Sequence, residues 1–438
     1  MFREGLLDKI LYKVKRLIPK RVFDFFAPSY HWLLAWGAAI IYRFPSHSMK
    51  VIGVTGTKGK STTVFFISKI LEAGGHKVAA IGSLGYKIGD REWPNTLKMT
   101  MPGRFRIQKF LAQAKKAGCG FVVLEVTSEG LAQGRHNGIR FDCAVFTNLH
   151  PEHIESHGSL ENYISAKQKL FLISDNTHVI NADDPRANLF GDLPAKRKIF
   201  YGLHAGEMMA TNIKVQPDSI EFSAYGTQFA VSIGGEFNVY NCLAALAVGA
   251  MYGVDLPTAR PALQSIPEVA GRMQFIQKSP FTIVVDYAHT PDSLEAVYKA
   301  LKPETGKPVQ QDEARPSVGR LICVLGAAGG GRDTWKRPKF GAIAAQYCDK
   351  IILADEDPWD ENQEEILNQI EAGIPENQKS KVERILDRRQ AIRRAVSIAQ
   401  PGDVVVITGK GSEVSLALAN GKKIPWSDAK EAREALQH

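Results

Sequence analysis

Seven consecutive residues, Gly56-Thr57-Lys58-Gly59-Lys60-Ser61-Thr62, combine the groups that grip a phosphate chain. Glycines let backbone N–H groups approach phosphate oxygens closely, and the start of a following helix adds the favourable end of its dipole. Lys60 would lie against the outer phosphates, and Ser61 would offer its hydroxyl to Mg2+. Gly53 does not start the full GxxxxGK[ST] spacing correctly, so the loop is a shorter form. A glycine-rich structural turn is the competing reading, and the Lys-Ser-Thr-Thr run at a helix start argues against it. Farther along, Glu125 closes one apolar run and His153 lies just beyond another. Mg2+ prefers oxygen ligands, and an imidazole can join where carboxylate and phosphate supply the rest. The chemistry implied is nucleoside-triphosphate binding with a divalent cation.

Strands and a helix must hold these groups in place. MKVIGVTG reads as a short buried strand, and STTVFFISKILEAGG as a helix with Phe65, Ile67, Ile70 and Leu71 available for a core face. FVVLEV and FDCAVFTNL read as further buried strands, with polar ends where an open α/β sheet places its ligands. Residues 191–235 break the rhythm: apolar and polar residues alternate between turn signals, which predicts a short antiparallel insertion. NVYNCLAALAVGAMYG returns to helix, and TIVVDY, LICVLGA, KIILAD and DVVVITG read as strands of a second α/β region. KPETGKPVQQDEARPSVG, from Lys302, reads as a polar loop.

A chain of 438 residues is expected to form two or three domains, and its 44% hydrophobic content can fill their cores. Lys and Arg total 55 against 46 Asp and Glu, a net charge of +9 that suits phosphorylated metabolites or an anionic membrane. Neither a Cys-His finger spacing nor a basic, aromatic-interleaved repeat is present, so nucleic acid is not an expected partner. The five cysteines are scattered without a CxxC pair, the usage of a reducing compartment. The N-terminus combines a basic amphipathic stretch, MFREGLLDKILYKVKRLIPKR, with the aromatic segment VFDFFAPSYHWLLAWGAAIIYRFPSH. Its cleanest apolar run, Trp32 to Tyr42, is too short to span a bilayer. Two readings stand: a segment lying on a membrane surface, or a helical cap packed on the body of the protein.

With VTGTKGKST, EVTSEGLAQGR, AVFTNLHPEHIESHGSLENYISAKQKLF, GEFNVYNCLAALAV, GRMQ, VVDYAHTPDSLEAV, GGGRDTWKRPKFGAIA, DEDPWDEN and ITGKGSE, the chain resembles the Mur ligases, the ATP-dependent amide-forming family of peptidoglycan synthesis. It is most similar to the MurE branch. The resemblance spans roughly residues 50–430. It implies an α/β fold, with a P-loop ATPase domain on a mostly parallel sheet (47–270), then a smaller Rossmann-like domain (271–438), after a helical segment (1–46). The implied activity phosphorylates a carboxylate on a muramoyl-peptide-like substrate and passes the acyl group to an amino acid's amine, releasing ADP and phosphate.

The resemblance also assigns roles. Ser61, Glu125, His153 and Lys167 would hold a pair of Mg2+ ions, Lys167 as a carbamate. Asn238 and Asn241 match the purine-contact region, and Arg272 the residue reaching the ATP phosphates. Asp286 matches a ribose-binding aspartate, and His289 a position near the phosphates. Thr100, Pro102, Ser128, Gln133 and Arg135 resemble the muramoyl-peptide region. Lys336 and Arg337 look like a basic lining, and Asp357, Trp359, Gly409 and Glu413 fall in the acceptor region.

The pattern is also broken. Only about 46 residues precede the phosphate-loop domain, too few for the branch's uridine-diphosphate domain. A partner protein supplying carrier recognition, or a lipid-linked substrate on the inner face of the cell membrane, would accommodate that in an otherwise cytoplasmic enzyme. The branch's Asp-Asn-Pro-Arg is altered, Trp359 standing where an arginine would clasp a distal carboxylate. Lysine-like amines would match Glu356, Asp357 and Asp360 better by charge. Thr127-Ser128-Glu129 replaces Ser-Ser-His, and Ser412 replaces a histidine. The competing activities are a folylpolyglutamate-type ligase and a non-catalytic scaffold in cell-wall synthesis.

Overall fold

The computed structural model describes residues 20–97, 99–152, 154–302, 319–331 and 333–437. The polar loop from Lys302 therefore lies almost wholly outside the described residues. The chain divides into two compact units. The first takes residues up to 214, with 221–231 and 236–265; the second takes 266 onward, with the short pieces 215–220 and 232–235.

The first unit is built on nine described strands: β1 (Lys50–Thr55), β2 (Val78–Gly82), β3 (Gly85–Ile88), β4 (Arg91–Trp93), β5 (Phe121–Glu125), β6 (Cys143–Phe146), β7 (Thr177–Asn181), β8 (Arg197–Gly202) and β9 (Met208–Met209). Their order is β4-β3-β2-β5-β1-β6-β7-β8-β9, parallel from β2 to β9 with an antiparallel edge at β3 and β4. The run Val51-Ile52-Gly53-Val54 is buried because a central parallel strand is covered on both faces.

Helix α1 (Lys20–Ile41) precedes β1; α2 (Lys60–Ala73), α3 (Arg104–Lys116), α4 (Leu160–Leu172) and α5 (Phe237–Met251) follow in the same unit. In α2 the buried aromatic is Phe66 rather than Phe65, with Ile67, Ile70 and Leu71. The insertion also differs from expectation. Arg197–Gly202 joins the main sheet as β8, parallel to β7, and only Thr211–Val215, Ile220–Ala224 and Thr227–Val231 form a separate three-stranded sheet, β10-β11-β12. Strand β8 buries its C-terminal half, which suits a place near the edge of the main sheet.

The second unit carries a sheet ordered β13-β14-β18-β15-β16-β17: β13 (Gln274–Gln277), β14 (Thr282–Asp286), β15 (Leu321–Leu325), β16 (Lys350–Leu353), β17 (Val382–Arg384) and β18 (Val404–Thr408). It is parallel apart from the edge strand β13. Helices α6 (Pro291–Leu301), α7 (Lys336–Tyr347), α8 (Arg388–Ser397) and α9 (Asp428–Ala435) accompany it. The four strands expected from apolar runs are β14, β15, β16 and β18. The architecture is thus two α/β units, the first on a mostly parallel sheet.

Candidate functional site

In the first unit the loop between β1 and α2 has the shape that its composition implies. Gly56 has φ 152° and Gly59 φ 78°, backbone positions that disfavour a side chain. A Cβ at Gly56 would lie 1.9 Å from the Thr147 hydroxyl, so both conformation and space exclude one. The loop is fixed from β6: the Lys58 N–H donates to Asn148 Oδ1 at 2.8 Å, and the Thr147 hydroxyl donates to the Lys58 carbonyl at 2.6 Å. Thr57 is held from the far side, its hydroxyl 2.9 Å from the Tyr163 hydroxyl. Lys60 donates its ammonium to the Thr57 carbonyl at 2.7 Å, folding back over the loop it follows. Ser61 and Thr62 are buried at the first turn of α2.

Behind the loop, Asn241 on α5 accepts a hydrogen bond from Thr63 at 3.1 Å and donates to Asn238 at 2.9 Å. Both asparagines are buried, so this pair supports the loop from α5. The expected purine-contact residues thus hold α2 in place.

Lys167 projects from α4 and is buried, donating to the Gly56 carbonyl at 2.6 Å. Its nitrogen lies 4.6 Å from the Tyr163 ring centroid. Burial first, and then the nearby Lys60, hold its amine well below the usual lysine range, against the pull of Glu152.

Glu125 ends β5, directly beside Val54 of β1. Ser83 donates to it from its backbone N–H at 2.7 Å, and the Ser83 and Thr100 hydroxyls are 2.8 Å apart. The carboxylate expected at a metal and the threonine expected at the peptide substrate are therefore joined through one serine. His153 lies outside the described residues. Among the described residues no group of three or more His, Cys, Asp and Glu is arranged to hold a metal ion. Protein oxygens from Ser61 and Glu125 suit Mg2+ in company with phosphate.

The remaining donor-region residues gather nearby in sequence and space. Arg135 reaches Gln133 Oε1 at 2.8 Å and also bonds the Met101 carbonyl. Arg104 bonds the Gln133 carbonyl, while its buried Nε has no partner among the described residues. Burial and the neighbouring Arg135 push the Arg104 guanidinium down to about 10, an arrangement that an anion would relieve. Pro102 is buried, and the Ser128 hydroxyl is 3.1 Å from Nε2 of His157.

In the second unit the expected residues meet at the carboxyl ends of β14, β16 and β18. The Arg272 guanidinium lies 4.3 Å from the Tyr287 ring centroid, and the Tyr287 hydroxyl donates to Glu413 at 3.2 Å. Lys410, fully buried, bridges Asp357 at 2.8 Å and Glu413 at 2.5 Å. Glu356 is buried, only 7% exposed. Burial pushes its carboxyl up to about 7; Arg388 and Lys410 oppose that, and Asp357 and Glu413 add to it. Gly409, at φ 106°, leaves room for it, since a Cβ there would sit 2.3 Å from Glu356 Oε2. Trp359 takes φ 53° against Gly330.

One expectation, the basic lining, looks different here, and Asp286 and His289 are held by local bonds. Asp286 is buried and accepts backbone N–H groups from Met273 and Ala288, both at 2.7 Å. Lys336 and Arg337 are not an open basic lining. Lys336 pairs with Asp333 at 2.7 Å, and Arg337, 1% exposed, is clamped by Glu361, Gln369 and the Ala328 carbonyl. His289 lies 2.7 Å through Nδ1 from the Tyr287 carbonyl. Sequence reading missed Ser83, Arg104, Thr147, Asn148, Tyr163 and Lys410. Thr147 and Asn148 alone carried a signal, as polar residues ending an apolar strand.

Comparison with known proteins follows the same division. The Mur ligase middle domain matches residues 54–249, and the Mur ligase glutamate ligase domain matches 271–411. A UDP-N-acetylmuramyl-tripeptide synthetase of Roseiflexus sp. (strain RS-1) is 38% identical over 434 residues, covering 93% of this chain and 82% of that one. A UDP-N-acetylmuramoyl-L-alanyl-D-glutamate–2,6-diaminopimelate ligase of Thermosynechococcus vestitus is 39% identical, covering 91% and 79%. Among solved structures, a ligase of that same diaminopimelate type superposes with a TM-score of 0.61 at 31% identity, covering 92% and 82%. A folylpolyglutamate synthase of Mycobacterium tuberculosis superposes at 0.68, covering 86% and 92%, but at 16% identity shares the fold alone.

Proposed function

Because the chain belongs to the Mur ligase family, we infer that it is an ATP-dependent ligase of the MurE type, adding an amino acid to a muramoyl-peptide substrate. The observation that carries the reading is the Gly56–Ser61 loop with Lys60 folded over it and Glu125 on the adjacent strand end. Folate as the substrate is disfavoured, since the relatives near 38% identity are muramoyl-peptide ligases.

The placement of each residue supports a part for it. Backbone N–H groups of residues 56–61 cradle the phosphates of ATP, and Lys60 swings from the Thr57 carbonyl to the outer phosphate. Ser61 and Glu125 would hold Mg2+, which spreads the phosphate charge when bound. Arg104 and Arg135 bind the anionic end of the peptide substrate near Thr100. The substrate carboxylate takes the γ-phosphoryl group, and the amine then displaces phosphate to form the amide.

Lys167 acts as a carbamate. A neutral amine is the form that attacks carbon dioxide, giving a carbamate and releasing a proton. Burial of Lys167 favours that neutral form. The acceptor's ammonium is drawn to Glu356, Asp357 and Glu413, which face Lys410 and an Arg388 already paired with Asp428, and this favours a diamino acid whose far end is cationic.

The test is a panel of amino acids against UDP-linked and lipid-linked muramoyl dipeptides, reading phosphate release and product mass. Formation of a muramoyl tripeptide, fastest with a lysine-like acceptor, is expected. ATP hydrolysis that never depends on a muramoyl peptide would refute the reading.

A further inference from the structure

Helix α1 is apolar on both sides. No Asp, Glu, Lys or Arg occurs from residue 25 to residue 42. Its small residues Ala35, Ala38 and Ala39 are buried against α3 and the neighbouring loop, where Gly138 makes room for Ala39. The large ones face the other way: Tyr30, Trp32, Leu33, Trp36, Ile40 and Ile41 are all exposed, Leu33, Ile40 and Ile41 by more than 60%. Trp32, Trp36 and Ile40 recur at four-residue spacing, one stripe of a helix, and the two indoles lie 6.1 Å apart. A helix apolar all round is stable where both faces are covered. Among the described residues the first unit covers only one.

We propose that this outward face of α1 lies on an anionic bilayer surface. Two features select that occupant. Tryptophan and tyrosine beside aliphatic residues form the composition favoured at the headgroup boundary. The first 21 residues carry seven Lys and Arg against two Asp and Glu, a net of +5 immediately before the apolar face. That charge complements anionic headgroups and opposes the pairing of two copies in parallel. No helix among the described residues is long and apolar enough to cross a membrane, so the helix lies along the surface. Nothing in the phosphate loop or the acidic cluster enters this inference, so it stands or falls apart from the ligase reading.

The experiment is flotation of the full chain with vesicles of phosphatidylcholine alone or with phosphatidylglycerol, comparing wild type, Trp32→Glu/Trp36→Glu and Lys13→Glu/Lys15→Glu/Arg16→Glu. Wild type should float with the anionic vesicles, with tryptophan emission shifted to the blue. Partitioning should fall at least about tenfold in either variant, in neutral vesicles and at high salt. Melting temperature and ATP binding should match wild type in both variants, which separates lost lipid contact from misfolding. Flotation that is absent, or equal in wild type and the tryptophan variant, overturns the proposal. So does a vesicle-free dimer of wild type that Trp32→Glu/Trp36→Glu dissociates, since that assigns the face to a second copy.

Discussion

Gly59 lies directly against Asn241: a Cβ on the glycine would sit 2.3 Å from the carboxamide oxygen. The phosphate loop is therefore shaped both by its own sequence and by a helix far along the chain. Gly59→Ala meets two penalties, the contact and a φ of 78°. The backbone penalty alone is about 1–2 kcal/mol, roughly a tenfold loss of ATP affinity if it falls on the loop. Adding Asn241→Ala relieves the contact but not the backbone. Calorimetry with a non-hydrolysable ATP analogue should thus rank wild type above the double variant, and the double variant above Gly59→Ala. Equal affinities would show that the loop adapts freely.

The role proposed for Lys60 is to stabilise charge as it develops. Its ammonium rests on the Thr57 carbonyl, so removing it costs the resting loop that one hydrogen bond. Lys60→Ala should retain the melting temperature and lose about 10³-fold in turnover, the scale of a removed electrostatic stabiliser. Substrate-dependent phosphate release measures it, and near-normal turnover would remove Lys60 from the mechanism.

The difference between what the sequence disclosed and what it hid is one of range. The 56–62 loop was legible because its residue types and spacing are local and its strand and helix adjoin it. The central strands were legible as unbroken apolar runs. Ser83 was not, since its link to Glu125 joins residues 42 apart in sequence. Tyr163 lies 106 residues from the Thr57 hydroxyl that it touches. Lys336 and Arg337 misled because a basic pair reads as surface charge, whereas Asp333 and Glu361 turn both inward. Strand β17 escaped notice because Val382–Arg384 is a short edge with no fully buried residue.

The carbamate proposed at the buried Lys167 implies a dependence on dissolved carbon dioxide. Turnover should fall in degassed, bicarbonate-free buffer and recover when bicarbonate is added. Lys167→Arg keeps a long basic side chain but cannot form a carbamate, so it should be inactive at every bicarbonate concentration. Steady-state rates across a bicarbonate series provide the check, and a flat series for wild type counts against the carbamate.

Arg388 and Asp428 form an ion pair with both side chains essentially sealed from water, held by bonds of 2.8 and 2.7 Å. The same guanidinium donates to the Thr408 carbonyl at 2.7 Å, so it ties α8 and α9 to the end of β18. Removing one partner strands a buried charge, at about 3–5 kcal/mol. Asp428→Ala should destabilise the second unit by that amount in urea, while Arg388→Met/Asp428→Leu should recover much of it. If both variants melt alike, the pair is not what holds these helices.

The acidic cluster sets a pH dependence through Glu356. In an unfolded chain its carboxyl titrates near 4.5, whereas the folded chain holds the proton up to about 7, chiefly because the group is buried. Below about 4.5 both states are protonated and stability is undiminished. As pH rises through that window the unfolded state releases its proton first, so stability declines, and the full penalty is reached above about 7. The shift corresponds to about 3 kcal/mol. Glu356→Gln keeps the shape without the charge, so it should exceed wild type in stability at pH 8 and match it at pH 4. An acceptor's ammonium seated beside Glu356 favours the ionised form instead, so acceptor binding at pH 6 should release a proton in wild type and not in Glu356→Gln. Calorimetry in buffers of different ionisation enthalpy reads that proton directly. Identical stability profiles for the two proteins, with no difference in proton release, would leave Glu356 no part in receiving the amine.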